Sequence, residues 1–214
     1  LNSLSGVGHR VVHGGETFSA SMIICDESLE KLKSLSRLAP LHNPVNLLGI
    51  EAIKALLPEL PQIAVFDTAF HQTLPQHAYL YAIPFEYYQQ HGIRRYGFHG
   101  SSFRYVSQQA AHMIGKPLTQ SNFLIAHLGN GCSACAVKEG ESVDTSMGLT
   151  PLEGLAMGTR CGDIDPSLIP FLCERLDLTL AEVMNVLNKK SGLLGLSGST
   201  NDMREIQQSA ESGD

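Results

Sequence analysis

Gln62-Ile63-Ala64-Val65-Phe66-Asp67 is the stretch on which the fold class turns. It is apolar enough to be a strand buried on both faces, and it ends on an acid. Just upstream, a helical pattern from about Val45 to Leu57 carries a stripe of Leu48, Ile53, Leu56 and Leu57 and is stopped by Pro58. Further back, Asp26-Glu27-Ser28 opens a second helical pattern through Leu29, Leu32 and Leu35, closed near Pro40. Val7 to Val12 is β-branched and bounded by glycines, which predicts another strand. Strand and helix alternate, so the expected class is α/β.

Downstream of this core the pattern changes. From Asp67 to Gly100 the chain is rich in His, Tyr, Pro and Gly and reads as long functional loops around a short helical piece. Ser101 or Ser102 is placed to cap a helix carrying Tyr105, Val106, Ala110 and Met113. Phe123–Leu128, Ser133–Lys138 and Ser142–Asp144 read as three strands joined by Gly129-Asn130-Gly131 and Glu139-Gly140, an antiparallel meander. Helices are expected at about Pro166–Leu176, Leu180–Lys189 and Thr200–Ser209.

The 214 residues fit one large domain or two modest ones, and 43% hydrophobic content supplies a core. Lys plus Arg number 15 against 21 Asp plus Glu, a net charge of −6. A general nucleic-acid binder shows the opposite balance, so nucleic acid is not an expected partner. No apolar run reaches the ~18 residues of a membrane helix, so no membrane partner is expected either. Five cysteines, an odd number, do not form a disulfide framework and point to a reducing, cytoplasmic compartment. The chain opens on Leu1 without a signal-peptide pattern, and its small, acidic end reads as that of a piece of a longer protein.

Familiar nucleotide motifs are missing. The Gly-Lys pair, Gly115-Lys116, is followed by Pro117, which is no Walker A loop. Gly129-Asn130-Gly131-Cys132-Ser133-Ala134 matches a loose G-x-G-x-x-A, but a strand follows where a dinucleotide site needs a helix. The same turn can still bind phosphate: glycines let backbone N–H groups approach an anion, and His127, Asn130 and Ser133 add donors. An ordinary hairpin turn is the alternative. Arg10, between His9 and Val11 and ahead of Gly14-Gly15, and Arg160, in Gly158-Thr159-Arg160-Cys161-Gly162-Asp163, are flanked by glycines and suit a small anion. A surface ion pair, such as with Asp163, is the alternative. Asp67 ends a strand where working residues of open α/β sheets sit, or it caps the next turn. His42 in Pro40-Leu41-His42-Asn43-Pro44 and His99 in Tyr96-Gly97-Phe98-His99-Gly100 lie in rigid or glycine-flanked loops, as catalytic groups or as hydrogen-bonded structural ones. His9-x3-His13 and Cys132-x2-Cys135 lack partners for a metal set, so no zinc is expected. Together these residues suit transfer of phosphate to a small anion.

Six stretches in order carry a resemblance: His9-Arg10-Val11-Val12-His13-Gly14-Gly15-Glu16, Ala39-Pro40-Leu41-His42-Asn43-Pro44, Val65-Phe66-Asp67-Thr68-Ala69-Phe70-His71-Gln72, Tyr96-Gly97-Phe98-His99-Gly100, His127-Leu128-Gly129-Asn130-Gly131, and Asp144-Thr145-Ser146-Met147-Gly148 through Arg160. They resemble the acetate kinase (acetokinase) family across nearly the whole chain. The resemblance implies the ribonuclease H-like two-domain α/β fold of the sugar kinase, actin and heat-shock ATPase superfamily. Both domains would be incomplete here: residues 1–68 part of the N-terminal domain, residues 69–214 part of the C-terminal nucleotide-binding and dimerisation domain. It implies reversible transfer of the ATP γ-phosphoryl group to acetate, giving acetyl phosphate and ADP, with Mg2+, in a cytoplasmic homodimer. Arg10 and Arg160 would hold the acetate carboxylate and the moving phosphoryl. His99 would stabilise the transition state with His42 in support, and Asp67 would carry the family's acid/base role. His127, Leu128, Gly129, Asn130 and Gly131 would touch the ATP phosphates, and Asp202, Met203 and Arg204 would lie near the nucleotide. No metal ligand is implied within this segment.

Ionised acetate has no proton to lose, so an orienting role for Asp67 competes with that of a base. The family's Asn-x-Gly-Ser-Ser-Ser hairpin, its Thr-Gly-Gly-Ile-Gly-Glu-Asn loop and a C-terminal Glu near the metal do not occur in this sequence, and Phe103 stands where the family has His. The expectation is therefore the middle half of a kinase that, on its own, transfers phosphate poorly or not at all. Propionate kinase shares these motifs, so the expected acceptor is acetate or another short-chain carboxylate. A non-catalytic nucleotide- or anion-binding truncated kinase is a reading of another class, against which the retention of Arg10, Asp67, His99 and Arg160 counts.

Overall fold

The structure, a computed structural model, describes residues 3–38 and 42–213. Contacts group the chain into two compact units, Leu1–Ile125 with Cys135–Thr145, and Ala126–Ala134 with Ser146–Asp214. Residues 69–125 and 135–145 thus cluster with the first 68, whereas the boundary expected after residue 68 refers to the complete two-domain fold.

In the first unit, β1 (Val7–Val11), β2 (Met22–Ile23) and β3 (Gln62–Phe66) form a sheet in the order β1-β3-β2. β1 runs parallel to β3, with Arg10 beside Val65 and Val11 beside Phe66. A parallel pair requires a crossover, and α1 (Asp26–Ser34) and α2 (Asn43–Leu56) lie within it. One face of β3 is closed: Gln62, Ala64 and Phe66 are buried, and Val11, Phe18, Leu29, Leu32, Leu47 and Ile50 complete that core. Ile63 and Val65 on the other face are only half-buried, so the strand is not buried on both faces as expected. The short strand β2, antiparallel to β3, has no signal in the sequence.

The inward face of α2 is Asn43, Leu47 and Ile50, an i, i+4, i+7 set. Leu48 and Leu56 of the expected stripe point outward, at 67% and 75% exposure, and Ile53 and Leu57 are half-buried. An apolar-rich helix offers several stripes, and the position of the sheet selects one. The expected end of the preceding helix near Pro40 lies outside the described residues; α1 gives way to a 3-10 turn, Leu35–Arg37.

The loop region holds a 3-10 turn, Ala69–Thr73, and the short helices α3 (Gln76–Tyr79) and α4 (Phe85–His91). The next helix, α5 (Gly100–Met113), starts at an N-cap formed by His99, not at Ser101 or Ser102. Its buried face is Gly100, Phe103, Ser107 and Ala111, while Tyr105, Val106 and Met113 are exposed. Phe103 lies in a second core with Ile125, Cys135 and Val137, which explains why an aromatic side chain serves at this position.

β4 (Asn122–Leu128), β5 (Cys132–Lys138) and β6 (Glu141–Thr145) form a sheet in that order, with β5 and β6 antiparallel, as expected of the meander. In the second unit follow α6 (Leu168–Leu176), α7 (Leu180–Lys189), α8 (Gly192–Ser197) and α9 (Met203–Glu211). α7 is started by a capping box in which Thr179 and Glu182 each satisfy the other's backbone N–H. α9 begins at Met203, three residues later than expected, because the Asp202 side chain caps it. α8, only six residues long, has no counterpart among the expected helices. Among the described residues no helix is long and apolar enough to cross a membrane.

Candidate active site

In the first unit the predicted residues gather around the C-terminal ends of β1 and β3. The ladder runs one residue past β3, with the Asp67 N–H donating to the Val11 carbonyl at 3.1 Å. The alternation of a strand keeps the Asp67 side chain on the face of Val65 and Arg10. Arg10 donates from Nε to Asp67 Oδ1 at 2.8 Å and from Nη2 to Oδ2 at 2.6 Å. The carboxylate is 2% exposed and the arginine side chain 65%. A buried carboxylate therefore holds one edge of an open guanidinium, and these bonds leave Nη1 unused. The hydrogen bonds that Arg10 donates to Asp67 raise the Arg10 pKa further, against the opposing effect of burial. The turn-capping alternative for Asp67 is not what its side chain does.

The backbone of Asp67 organises a second predicted residue. Its carbonyl accepts from the Gly100 N–H at 2.9 Å, immediately after His99. A Cβ on Gly100 would lie 2.4 Å from that oxygen, so glycine is required for this approach. His99 itself sits in the left-handed region at φ 60.

His42 is the N-cap of α2, half-buried. Its neighbour Asn43 is buried, accepts from the His13 N–H at 3.1 Å and donates to the His13 carbonyl at 3.0 Å. Asn46 Oδ1 accepts from the Val12 N–H at 3.1 Å. Two side-chain amides thus stitch the first turn of α2, next to His42, to the residues that follow Arg10. Neither asparagine was singled out from the sequence; an Asn beside a His and a Pro carries no signal until its partner strand is placed.

His9 and His13 do not form a metal pair. His9 Nε2 lies 2.7 Å from Gln62 Oε1, while His13 is buried, accepts from the Gly15 N–H at Nδ1 and packs against Tyr96 and Phe98. Burial pushes His13 down to about 4.

In the second unit the turn after β4 is built around Asn130. Its carbonyl accepts from the Gly158 N–H at 2.9 Å and its Oδ1 from Asn201 Nδ2 at 2.8 Å. Arg160 lies against Gly131, where a Cβ would be 3.2 Å from Nη1. Nη1 donates to the Pro151 carbonyl at 3.0 Å, and among the described residues no carboxylate pairs with Arg160. Asp163 instead accepts from the Gly154 N–H, so the expected ion-pair alternative does not form. Burial lowers the Arg160 pKa, as for a cation awaiting a counter-charge. The loop that presents Arg160 closes on itself, Met157 N–H to Arg160 carbonyl, and is clasped by α8 through Leu193 and Leu194 N–H groups. Gly192, at φ 61, permits this: a Cβ there would fall 2.0 Å from the Met157 carbonyl.

Leu128, Gly129 and Asn130 are exposed, and His127 is half-buried. Asp202 caps α9 and also binds the Arg204 guanidinium at 2.6 and 3.1 Å, which holds its carboxyl down at about 2. Met203 and Arg204 are exposed on the first turn of α9. An open glycine turn beside an arginine that, among the described residues, has no carboxylate partner fits polyphosphate. For magnesium the donor set differs: among the described residues no three His, Cys, Asp or Glu side chains group to hold a cation.

The family model of the acetokinase family matches residues 1–214. The chain is 60% identical over 213 residues to an acetate kinase of Natranaerobius thermophilus and 56% identical over 213 residues to one of Bacillus velezensis. Each match takes in all of this chain and 54% of the relative, so the chain spans about half the length of the curated relatives it matches. Among solved structures, a Porphyromonas gingivalis acetate kinase superposes with a TM-score of 0.94 at 50% identity, over 99% of this chain and 53% of that one. A propionate kinase from Francisella tularensis superposes with a TM-score of 0.95 at 54% identity, over 100% of this chain and 55% of that one. The α/β fold is that of the matching half of these kinases, and the chain belongs to the acetokinase family.

Proposed function

We propose that, within a complete chain, this segment serves the reversible transfer of the ATP γ-phosphoryl group to acetate, giving acetyl phosphate and ADP. The observation that carries the reading is the Arg10 fork, fixed along one edge by buried Asp67 and open along the other. Phosphoryl transfer asks for positioning and charge neutralisation more than covalent chemistry. Arg10 and Arg160 would hold the carboxylate and the equatorial oxygens, His99 would donate to the developing charge, and His42 would support it. His127, Leu128, Gly129, Asn130 and Gly131 would meet the phosphates of ATP, with Asp202, Met203 and Arg204 near the nucleotide. Magnesium would arrive held by those phosphates. Asp67 acts as the orienting group: its carboxylate is buried against Arg10, and acetate offers no proton to remove.

The protein is read as a cytoplasmic homodimer whose two domains, in the complete chain, divide after residue 68. Propionate as acceptor is a second reading, favoured by the 54% identity to a propionate kinase of solved structure. The test is to mix the full-length protein with ATP, magnesium and acetate and to trap acyl phosphate with hydroxylamine. Hydroxamate is expected; its absence overturns the proposal. Propionate and butyrate in the same assay rank the acceptors.

A further inference from the structure

His99 projects from a segment with two left-handed residues, Gly97 at φ 72 and His99 at φ 60. A residue with a side chain seldom adopts that conformation unless its surroundings impose it. After His99 the chain is fixed by the Gly100 N–H on the Asp67 carbonyl. Before His99 it is fixed by a residue of no assigned role. His71 lies fully buried in the Ala69–Thr73 turn, with Nε2 at 3.0 Å from the Phe98 carbonyl and Nδ1 at 2.8 Å from the Ser142 hydroxyl on β6. A carbonyl only accepts, so Nε2 carries the hydrogen and Nδ1 accepts from Ser142. The backbone also backs onto this ring: a Cβ on Gly97 would lie 2.7 Å from His71 Cδ2 and 2.6 Å from Thr145 Cγ2. Phe103, at 5.7 Å between ring centroids, closes the other side.

We propose that His71 is a positioning residue for phosphoryl transfer: as the Nε2–H tautomer that the Phe98 carbonyl requires, with Ser142 donating to Nδ1, it holds that carbonyl and so sets the backbone from which His99 projects. This rests on the kinase reading above. Burial keeps the ring neutral at working pH, its pKa pushed down to about 4. A neutral ring with one donor and one acceptor is what this relay of Ser142, His71 and Phe98 requires.

The test uses the full-length protein. His71→Met keeps the volume and removes the donor; it is expected to lower kcat about 10²-fold with little change in KM, since a small misplacement of a reacting group costs on that order. His71→Gln, whose Nε2 can donate in the same direction, is expected to restore most of the rate. In a His99→Ala background His71→Met is expected to cost less than about threefold, because the two act as one unit. Equal losses in both backgrounds, or an unchanged kcat in a folded His71→Met protein, overturn the proposal. Should His71→Met fail to fold, Ser142→Ala decides: a several-fold fall in kcat is expected, and no change overturns it. The 15N spectrum of the imidazole gives a readout independent of activity, since a hydrogen on Nδ1 refutes the tautomer. An inactive wild-type protein with an Nε2–H ring fails the kinase reading and, with it, the role of His71, whereas an active one with an unaffected His71→Met variant fails this proposal alone.

Discussion

Asp67 grips Arg10 along one edge, with the carboxylate shut away from solvent and the guanidinium left largely in it. The asymmetry has a chemical meaning. A carboxylate that served as a base would need to face its proton source, whereas this one is 2% exposed. Here both oxygens accept from arginine, and the main chain of the same residue ties down the helix that begins after His99. One residue thus fixes Arg10 through its side chain and the chain just after His99 through its backbone.

Asp67→Asn is therefore expected to reduce kcat by about 10²–10³-fold, as loss of a preorganised charge-stabilising group does, while the shape of the pH–rate profile stays as in wild type. Loss of an ionisation from the profile would assign Asp67 as the base instead. Arg10→Lys separates the same alternatives, because an ammonium cannot keep a two-pronged grip and is expected to lose rate even with its charge retained.

Gly158→Ala probes the turn around Asn130. The new methyl carbon would fall 2.1 Å from Asn130 Oδ1, where Asn201 now donates. The turn must shift and that hydrogen bond is lost, at about 1 kcal/mol or more. The expected outcome is a KM for ATP raised about tenfold, with a smaller change in the KM for acetate, measured by initial rates.

Two buried histidines make stability fall in acid. His13 and His71 are held at about 4 by burial, below the ordinary value of 6.5. Between those pH values the unfolded chain binds protons that the folded one refuses, so stability rises with pH across this window and is lost as pH falls through it. Each group contributes up to about 3 kcal/mol to the loss. Urea midpoints between pH 7 and pH 4 are expected to drop steeply, and His13→Gln is expected to flatten the slope. An equal slope in wild type and variant would remove His13 from the account.

Asn43→Ala removes both bonds to the His13 main chain and leaves two buried backbone groups unpaired. A cost of about 2–4 kcal/mol is expected in thermal or urea unfolding. Asn43→Asp keeps the acceptor but sets a carboxylate against the His13 carbonyl, and is expected to be no better.

The alternation of strands and helices, the meander and the arginine-, histidine- and glycine-bearing motifs were all legible in the chain, because each depends on neighbours a few residues apart. Periodicity in α2 and α5 marks a helix but not its face: Leu48 and Tyr105 point outward, while Asn43, Ile50 and Phe103 point in. Local sequence cannot choose among several apolar stripes, since the choice is made by which surface the helix meets. The partner of Asp67, the use of Asn43, the clasp of α8 on the Arg160 loop and the grip of His71 on Phe98 were decided only by folding. Each joins groups that are dozens of residues apart in the chain, or residues whose type carries no signal until a hydrogen-bond partner is brought within 3 Å. Residue chemistry along the chain identified the candidate site, but tertiary contact alone determined which of its side chains are held, and by what.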